Sequence, residues 1–269
     1  MRHTQQVKTD GVDPRTNRLL ARLEPEDFDA LMQEAKVVFL NFCKRLYRQG
    51  APVNAVYFPL SSMVSIIVGA DRGPRIEIAT IGKEGVVGAM EFAGEGAIGL
   101  KLVQLPGSAV RIDASAFQEL EASRPRLRNL IDHYVHALMR QIVSCAACNQ
   151  LHNMEERCAR WLLLTHDSAS QDTFPLTQDF LSAMLGVRRA TVSVTTGMLK
   201  KAGLIRYVHG KMTIIDRAGL ESRVCDCYKS GIMAYDLILS DVSVPDPVLD
   251  LLLPAPVQRA PGVISSARH

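Results

Sequence analysis

Residues 177–216 constrain the fold of this chain more than any other segment. Thr177 can cap a helix by accepting from the orphan N–H groups of its first turn. Phe180, Leu181, Met184 and Leu185 then recur at helical spacing. Gly186 can take the positive φ that ends a short helix and turns the chain. A second helical run follows, with Val187, Val192 and Leu199 on one side and Arg188, Arg189, Thr191, Ser193, Thr196 and Lys200 mostly on the other. Two short helices about a glycine turn, the second polar and basic outside, predict a helix-turn-helix. In that motif the second helix enters the DNA major groove.

Charge agrees with this reading. No acidic residue lies between Asp179 and Asp216, while Arg188, Arg189, Lys200, Lys201, Arg206 and Lys211 give the window +6. The whole chain is only +3, so everything outside the window sums to −3. A positive patch on a near-neutral chain points to a polyanion, double-stranded DNA being the commonest. Downstream, residues 204–208 and 211–215 read as two strands joined by a tight turn at His209-Gly210. On such a wing Arg206, His209 and Lys211 would flank a DNA backbone. The plain alternative is an αα-hairpin with a solvated basic face, but cap, turn, wing and charge all favour the DNA-binding motif.

The upstream half reads differently. Residues 17–124 open with a short helical entry and continue as strand-like runs at 37–40, 55–58, 63–68, 75–81, 100–105 and 108–112. Turns such as Gln49-Gly50-Ala51-Pro52 and Pro106-Gly107 separate them, which suggests a sandwich or jelly roll. Pro125 then suits the first turn of a long helix. An apolar stripe repeats along this helix and can pack on the β-domain of its own subunit as well as on its own copy; Leu127, Ile131, Tyr134, Leu138 and Ile142 are assigned to a two-helix seam of a homodimer. The fold class expected is α+β: an N-terminal jelly-roll-like β-domain, a long dimerisation helix and a C-terminal winged helix-turn-helix. The boundaries expected are a flexible N-terminus (1–16), the β-domain (17–124), the helix (125–153), the winged helix (154–228) and a partly disordered tail (229–269).

Residues 154–228 resemble the winged-helix domain of bacterial Crp/Fnr-type transcription regulators. Leu-Thr-Gln-Asp-Phe-Leu at 176–181, Leu-Gly-Val-Arg-Arg-Ala-Thr-Val at 185–192 and Leu-Lys-Lys-Ala-Gly-Leu-Ile at 199–205 carry the likeness, with Glu-Glu-Arg-Cys-Ala-Arg-Trp-Leu-Leu at 155–163. The upstream half is similar to that family's cyclic-nucleotide-binding β-roll, through Val56-Tyr57-Phe58-Pro59, the segment 81–88 and Pro106-Gly107-Ser108-Ala109. The resemblance implies a homodimer on a two-fold operator, with RNA polymerase as a further partner.

It also implies a recognition code and a ligand pocket, and the chain departs from both. The family's first specificity arginine falls on Arg189, which could fork onto guanine O6 and N7. Its glutamate falls on Ala190 and its second arginine on Val194, which can touch thymine methyls but cannot pair with a base. Arg188, Thr191 and Ser193 are phosphate candidates, with Lys200, Lys201, Arg206 and Lys211 around them and Thr196 beside them. In the pocket, the corresponding loop begins at Val87 and Gly88 matches, but Ala89 stands at the glutamate position. The phosphate stretch falls at residues 97–102, where Lys101 is the only cation nearby and lacks an arginine's fork, and Ile142 and Val143 replace the polar pair that reads the base. Cyclic-nucleotide binding is therefore not expected, and no cofactor is predicted.

Cys43, Cys145, Cys148, Cys158, Cys225 and Cys227 are read as free thiols. A four-thiolate site would need the pairs Cys145/Cys148 and Cys225/Cys227 to meet in space, and no metal site is predicted. His133 and His136 carry no partner motif that marks a haem ligand. No nucleophile elbow, P-loop or zinc-protease motif occurs, so no enzyme is expected. With no long uncharged apolar stretch and no signal-like N-terminus, a cytoplasmic protein without membrane contact is expected. Two other readings stand beside the cyclic-AMP-independent regulator. One is a regulator gated by another ligand, haem or a thiol/metal signal. The other is a scaffold whose winged helix binds protein.

Overall fold

The computed structural model describes residues 11–69, 75–91, 96–169 and 171–239. Helix α1 (Pro25–Glu34) leads into seven strands: β1 (Ala35–Leu40), β2 (Arg45–Tyr47), β3 (Ala55–Pro59), β4 (Met63–Gly69), β5 (Arg75–Ile81), β6 (Leu100–Leu105) and β7 (Gly107–Asp113). They form two antiparallel sheets in the orders β1-β7-β3 and β2-β6-β4-β5. The six strand runs expected from the sequence are all present. The short β2 was missed because its three residues hold no alternating pattern.

Between the sheets Val56, Phe58, Val64, Ile66, Val103, Val110 and Ile112 form one apolar core. The entry segment is tied to it. Buried Asn17 donates to the carbonyls of Pro59 and Gly85, both at 2.9 Å, and accepts from the N–H groups of Leu19 and Leu20. Residues 11–16, expected to be loose, include the 3-10 turn Pro14–Thr16, and the Arg15 guanidinium lies 3.9 Å from the centre of the Phe28 ring. The first ten residues lie outside the described residues.

Helix α2 (Ala114–Ser123) precedes the long helix α3 (Pro125–Leu151). Here the structure corrects the seam assigned from the sequence. Leu127, Ile131, Tyr134 and Leu138 are buried in the roll's own core, and Ile142 packs half-buried against the same cluster. These residues hold α3 to its own subunit. Exposed on the other face are Asp132, His136, Met139, Val143, Ala146 and Gln150, spaced four, three, four, three and four residues apart. Both faces of α3 carry apolar residues, so periodicity could not say which one the roll would take.

Helix α4 (Met154–Ser168) starts at a capping box, in which Asn153 accepts from the Glu156 N–H and Glu156 accepts from the Asn153 N–H. Then come β8 (Thr173–Pro175), α5 (Gln178–Leu185), α6 (Arg189–Lys201), β9 (Ile205–Val208), β10 (Lys211–Ile214) and α7 (Arg217–Glu221). Strand β8 adds a third member to the wing, in the order β8-β10-β9. The core of this half centres on Trp161, Leu162, Leu181, Leu185, Val192, Leu199 and Met212, and Met63, Ile67 and Leu105 of the roll join it.

The expected boundary at residue 228 cuts through a real element, α8 (Cys227–Leu239). This helix returns along α3. The Tyr235 ring stacks on Tyr134 with centroids 6.1 Å apart, and its hydroxyl donates to Gln141 at 3.2 Å. The expected tail therefore begins with packed helix. Residues 240–269, including the apolar run 248–253 and five prolines, lie outside the described residues.

Candidate nucleic-acid interface

Local chemistry shapes the helix-turn-helix as its sequence suggests. The Thr177 hydroxyl accepts from the Phe180 N–H at 3.1 Å and so opens α5. Gly186 ends α5 in the left-handed region, at φ 66° and ψ 32°. A Cβ there would also lie 3.0 Å from Ile76 of β5, so a side chain is opposed twice. Arg188 is extended at the N-cap of α6, and no side chain caps that helix. The Thr191 N–H is taken by the Arg188 carbonyl at 2.9 Å, which leaves the Arg189 and Ala190 N–H groups to face an anion.

The inner face of α6 buries Val192, Thr195, Thr196 and Leu199. The Thr196 hydroxyl donates back to the Val192 carbonyl at 2.8 Å, so this residue, a phosphate candidate from the sequence, is corrected to a buried helix-internal role. Arg188, Arg189, Ala190, Thr191, Ser193, Val194, Lys200 and Lys201 all lie exposed. Val194 is 64% exposed, and Met198, 51% exposed, continues its line one turn on. Met198 was missed from the sequence, although its spacing from Ala190 and Val194 by fours was the available signal. The outer face of α6 is thus an apolar strip, Ala190–Val194–Met198 in spacing, with cations at both ends.

Arg189 Nε lies 3.5 Å from Asp179 Oδ1 with both side chains exposed. Such a pair contributes little to stability, but it holds the guanidinium beside α5. In the wing, His209 (φ 47°) and Gly210 (φ 73°) both take positive φ, as the two-residue hairpin turn requires. Arg206 on β9 and Lys211 on β10 are exposed on that hairpin. Arg188 and Thr191 also line a cleft with Arg75 of β5, so the first turn of α6 faces the roll across that cleft.

The pocket residues behave differently. Val87 and Ala89 are buried, and Gly88 takes φ 101°, where a Cβ would come 2.8 Å from the Tyr47 hydroxyl. The chain then enters the 3-10 turn Ala89–Glu91, and Glu91 pairs with Lys101. Neither of those side chains is exposed at all, and Lys101 also donates to the Ile98 carbonyl. Burial pushes the Lys101 amine below its ordinary range, opposed by Glu91. Ile142 is part of the roll core, whereas Val143 is 65% exposed on the outer face of α3, away from that core. So Val87, Gly88, Ala89 and Lys101 come together, and Val143 does not join them.

The cysteine pairs meet only in part. Cys145 Sγ lies 3.4 Å from an Arg160 nitrogen and contacts the Glu77 carbonyl, while Cys148 reaches Cys225. His133 and His136 are exposed. Among the described residues no helix is long and apolar enough to cross a membrane.

The comparisons with known proteins agree with this geometry. Residues 156–223 match the family model of the Crp-like helix-turn-helix domain. No curated protein matches the chain in sequence. Among solved structures, FixK2 from Bradyrhizobium japonicum is similar at 16% identity, over 71% of this chain and 98% of its own, with a TM-score of 0.60. A putative transcriptional regulator of the crp/fnr family from Eubacterium rectale is similar at 13% identity, over 76% and 96%, with a TM-score of 0.59. CLP of Xanthomonas campestris, described as a c-di-GMP responsive global regulator, is similar at 15% identity, over 71% and 99%, with a TM-score of 0.56. At these identities the structural likeness establishes the fold, and the matched domain establishes the helix-turn-helix. Residues 156–223 are therefore a Crp-like helix-turn-helix domain, joined to a β-roll in a chain whose fold is that of the solved Crp/Fnr-type structures.

Proposed function

We propose that the protein is a sequence-specific, double-stranded-DNA-binding transcription regulator that acts as a homodimer and does not depend on cyclic AMP. The observation that carries this reading is the outer face of α6. It exposes Arg188, Arg189, Thr191 and Ser193 around an apolar centre, and no acid occurs from residue 180 to residue 215. Arg189 reads a guanine, Ala190 and Val194 meet thymine methyls, and Arg188, Thr191, Ser193, Lys200, Lys201, Arg206 and Lys211 hold phosphates. Dimerisation uses the outer face of α3, centred on Met139 and Val143, and spaces two recognition helices about 34–36 Å apart for successive major grooves. In the roll, the Lys101–Glu91 pair supports independence from cyclic AMP. The cation that a cyclic phosphate would need is already neutralised from within. The protein acts in the cytoplasm, with RNA polymerase as its downstream partner and no catalysis of its own.

Selection of binding sites from random DNA by the full chain, with and without added cyclic AMP, tests this proposal. A two-fold consensus recovered equally well in both arms is expected. Retention without any consensus would favour a scaffold, and recovery only with cyclic AMP would overturn the ligand-independent reading.

A further inference from the structure

At the joint between α3 and α4, four side chains from two segments of the sequence converge. Cys148 and His152 lie one helical turn apart at the end of α3, with His152 as its C-cap. Cys225 and Cys227 flank Asp226 at the start of α8. The two Cys148 and Cys225 sulfurs are 3.6 Å apart, and Cys227 Sγ is 3.7 Å from His152 Nδ1. All four donor atoms lie within 4.8 Å of one another.

Those distances have a specific meaning. A tetrahedral zinc ion with bonds of ~2.3 Å to sulfur and ~2.0–2.1 Å to nitrogen sets S···S edges of about 3.8 Å and S···N edges of about 3.6 Å. The Cys148–Cys225 and Cys227–His152 contacts, at 3.6 and 3.7 Å, lie close to those edges. A disulfide needs its sulfurs at about 2.05 Å, which the pair does not approach. An iron–sulfur cluster spreads its thiolates over more than one iron, wider than a group of this compactness allows. Three thiolates and one dication leave a net charge of −1. Arg157 and Arg160 on α4 are close enough to Cys148 for their charges to act on it, which offsets that surplus. Burial also suits a structural ion: Cys148 and Cys225 are buried, and Cys227 and His152 are half-buried.

We propose that Cys148, His152, Cys225 and Cys227 bind a single thiophilic divalent cation, zinc above all. The ion closes a loop of sequence from the end of α3 to the start of α8 and so encloses the whole winged helix. It fixes α8 against α3 at the point where the chain passes into the DNA-binding half. Cys145, one turn before Cys148, takes no part, because its sulfur is engaged by Arg160.

The test uses the full chain, purified under reducing conditions without chelator. Stoichiometric zinc is expected, released in step with mercurial titration of the thiols. After chelator treatment, cobalt(II) should bind one equivalent and give the intense visible bands of a tetrahedral site with thiolate ligands. Cys225→Ser and Cys227→Ser should lose that uptake, His152→Ala should weaken it, and Cys43→Ser should leave it unchanged, since Cys43 is exposed and remote from the group. If the cysteine variants fold poorly, the cobalt spectrum of the unsubstituted chain decides. Only trace zinc with no cobalt uptake, an octahedral cobalt spectrum, or a Cys148–Cys225 disulfide in place of the metal would overturn the proposal.

Discussion

Lys101 and Glu91 form an ion pair with both side chains wholly removed from solvent. Burying two charges is costly, and mutual attraction recovers that cost only while both partners are present. Lys101→Met strands Glu91 in the roll and should lower stability by about 3–5 kcal/mol. Lys101→Met combined with Glu91→Gln should recover most of that loss. Urea unfolding of both variants checks the difference. Calorimetric titration of the unsubstituted protein with cyclic AMP should give no binding heat.

Arg189 and the lysines at the end of α6 should separate in their effects. Arg189→Ala is expected to cost ~1–3 kcal/mol on the selected site and to relax preference at one base pair. Lys200→Ala or Lys201→Ala should weaken binding to all sequences alike and reduce the slope of log K against log salt by about one. Fluorescence anisotropy with specific and scrambled duplexes at several salt concentrations distinguishes the two. Equal binding of every sequence by Arg189→Ala and the parent chain would remove Arg189 from the recognition role.

The two faces of α3 should respond oppositely to charge. Met139→Glu and Val143→Glu place carboxylates on the exposed face and should yield folded monomers. Leu138→Glu places one in the roll core, where an unpaired charge should unfold the subunit. Light scattering read with circular dichroism separates dissociation from unfolding. A Met139→Glu chain that remains a dimer would reject this seam.

Glu77 should make stability depend on pH. It is buried on β5, and burial pushes its carboxyl from the ordinary 4.5 up to about 7, against Ser65, Arg160 and Trp161, which pull it down. The folded chain thus holds this proton more tightly than the unfolded chain does. The resulting stability is fully present below about 4.5 and is lost as the pH rises through about 7. The shift corresponds to about 3 kcal/mol. Glu77→Gln should remove that part of the slope, which urea midpoints at about pH 5 and about pH 8 would measure.

Much of the DNA-binding half is written in contacts only a few residues long. The Thr177 cap, the left-handed Gly186 and the positive-φ turn at His209-Gly210 each depend on one or two neighbours. The composition of the window therefore sufficed to place α5, α6 and the wing. The strands of the roll were equally legible, because Gly and Pro turns bound runs of β-forming residues. Strand β8 was not, since its three residues gain strand geometry only by pairing with β10. Helix α8 was hidden by the proline-rich sequence after it, and its packing rests on Tyr134, about a hundred residues earlier.

Sequence alone determined that this chain pairs a β-roll with a basic winged helix, because caps, turns and charge runs are local properties. Tertiary structure decided which face of α3 is core, which carboxylate neutralises Lys101, and that Cys148 and His152 meet Cys225 and Cys227. The physical reason is common to all three. An apolar face, a buried charge and a cluster of cysteine and histidine donors are each defined by a partner distant along the chain, and no local pattern names that partner.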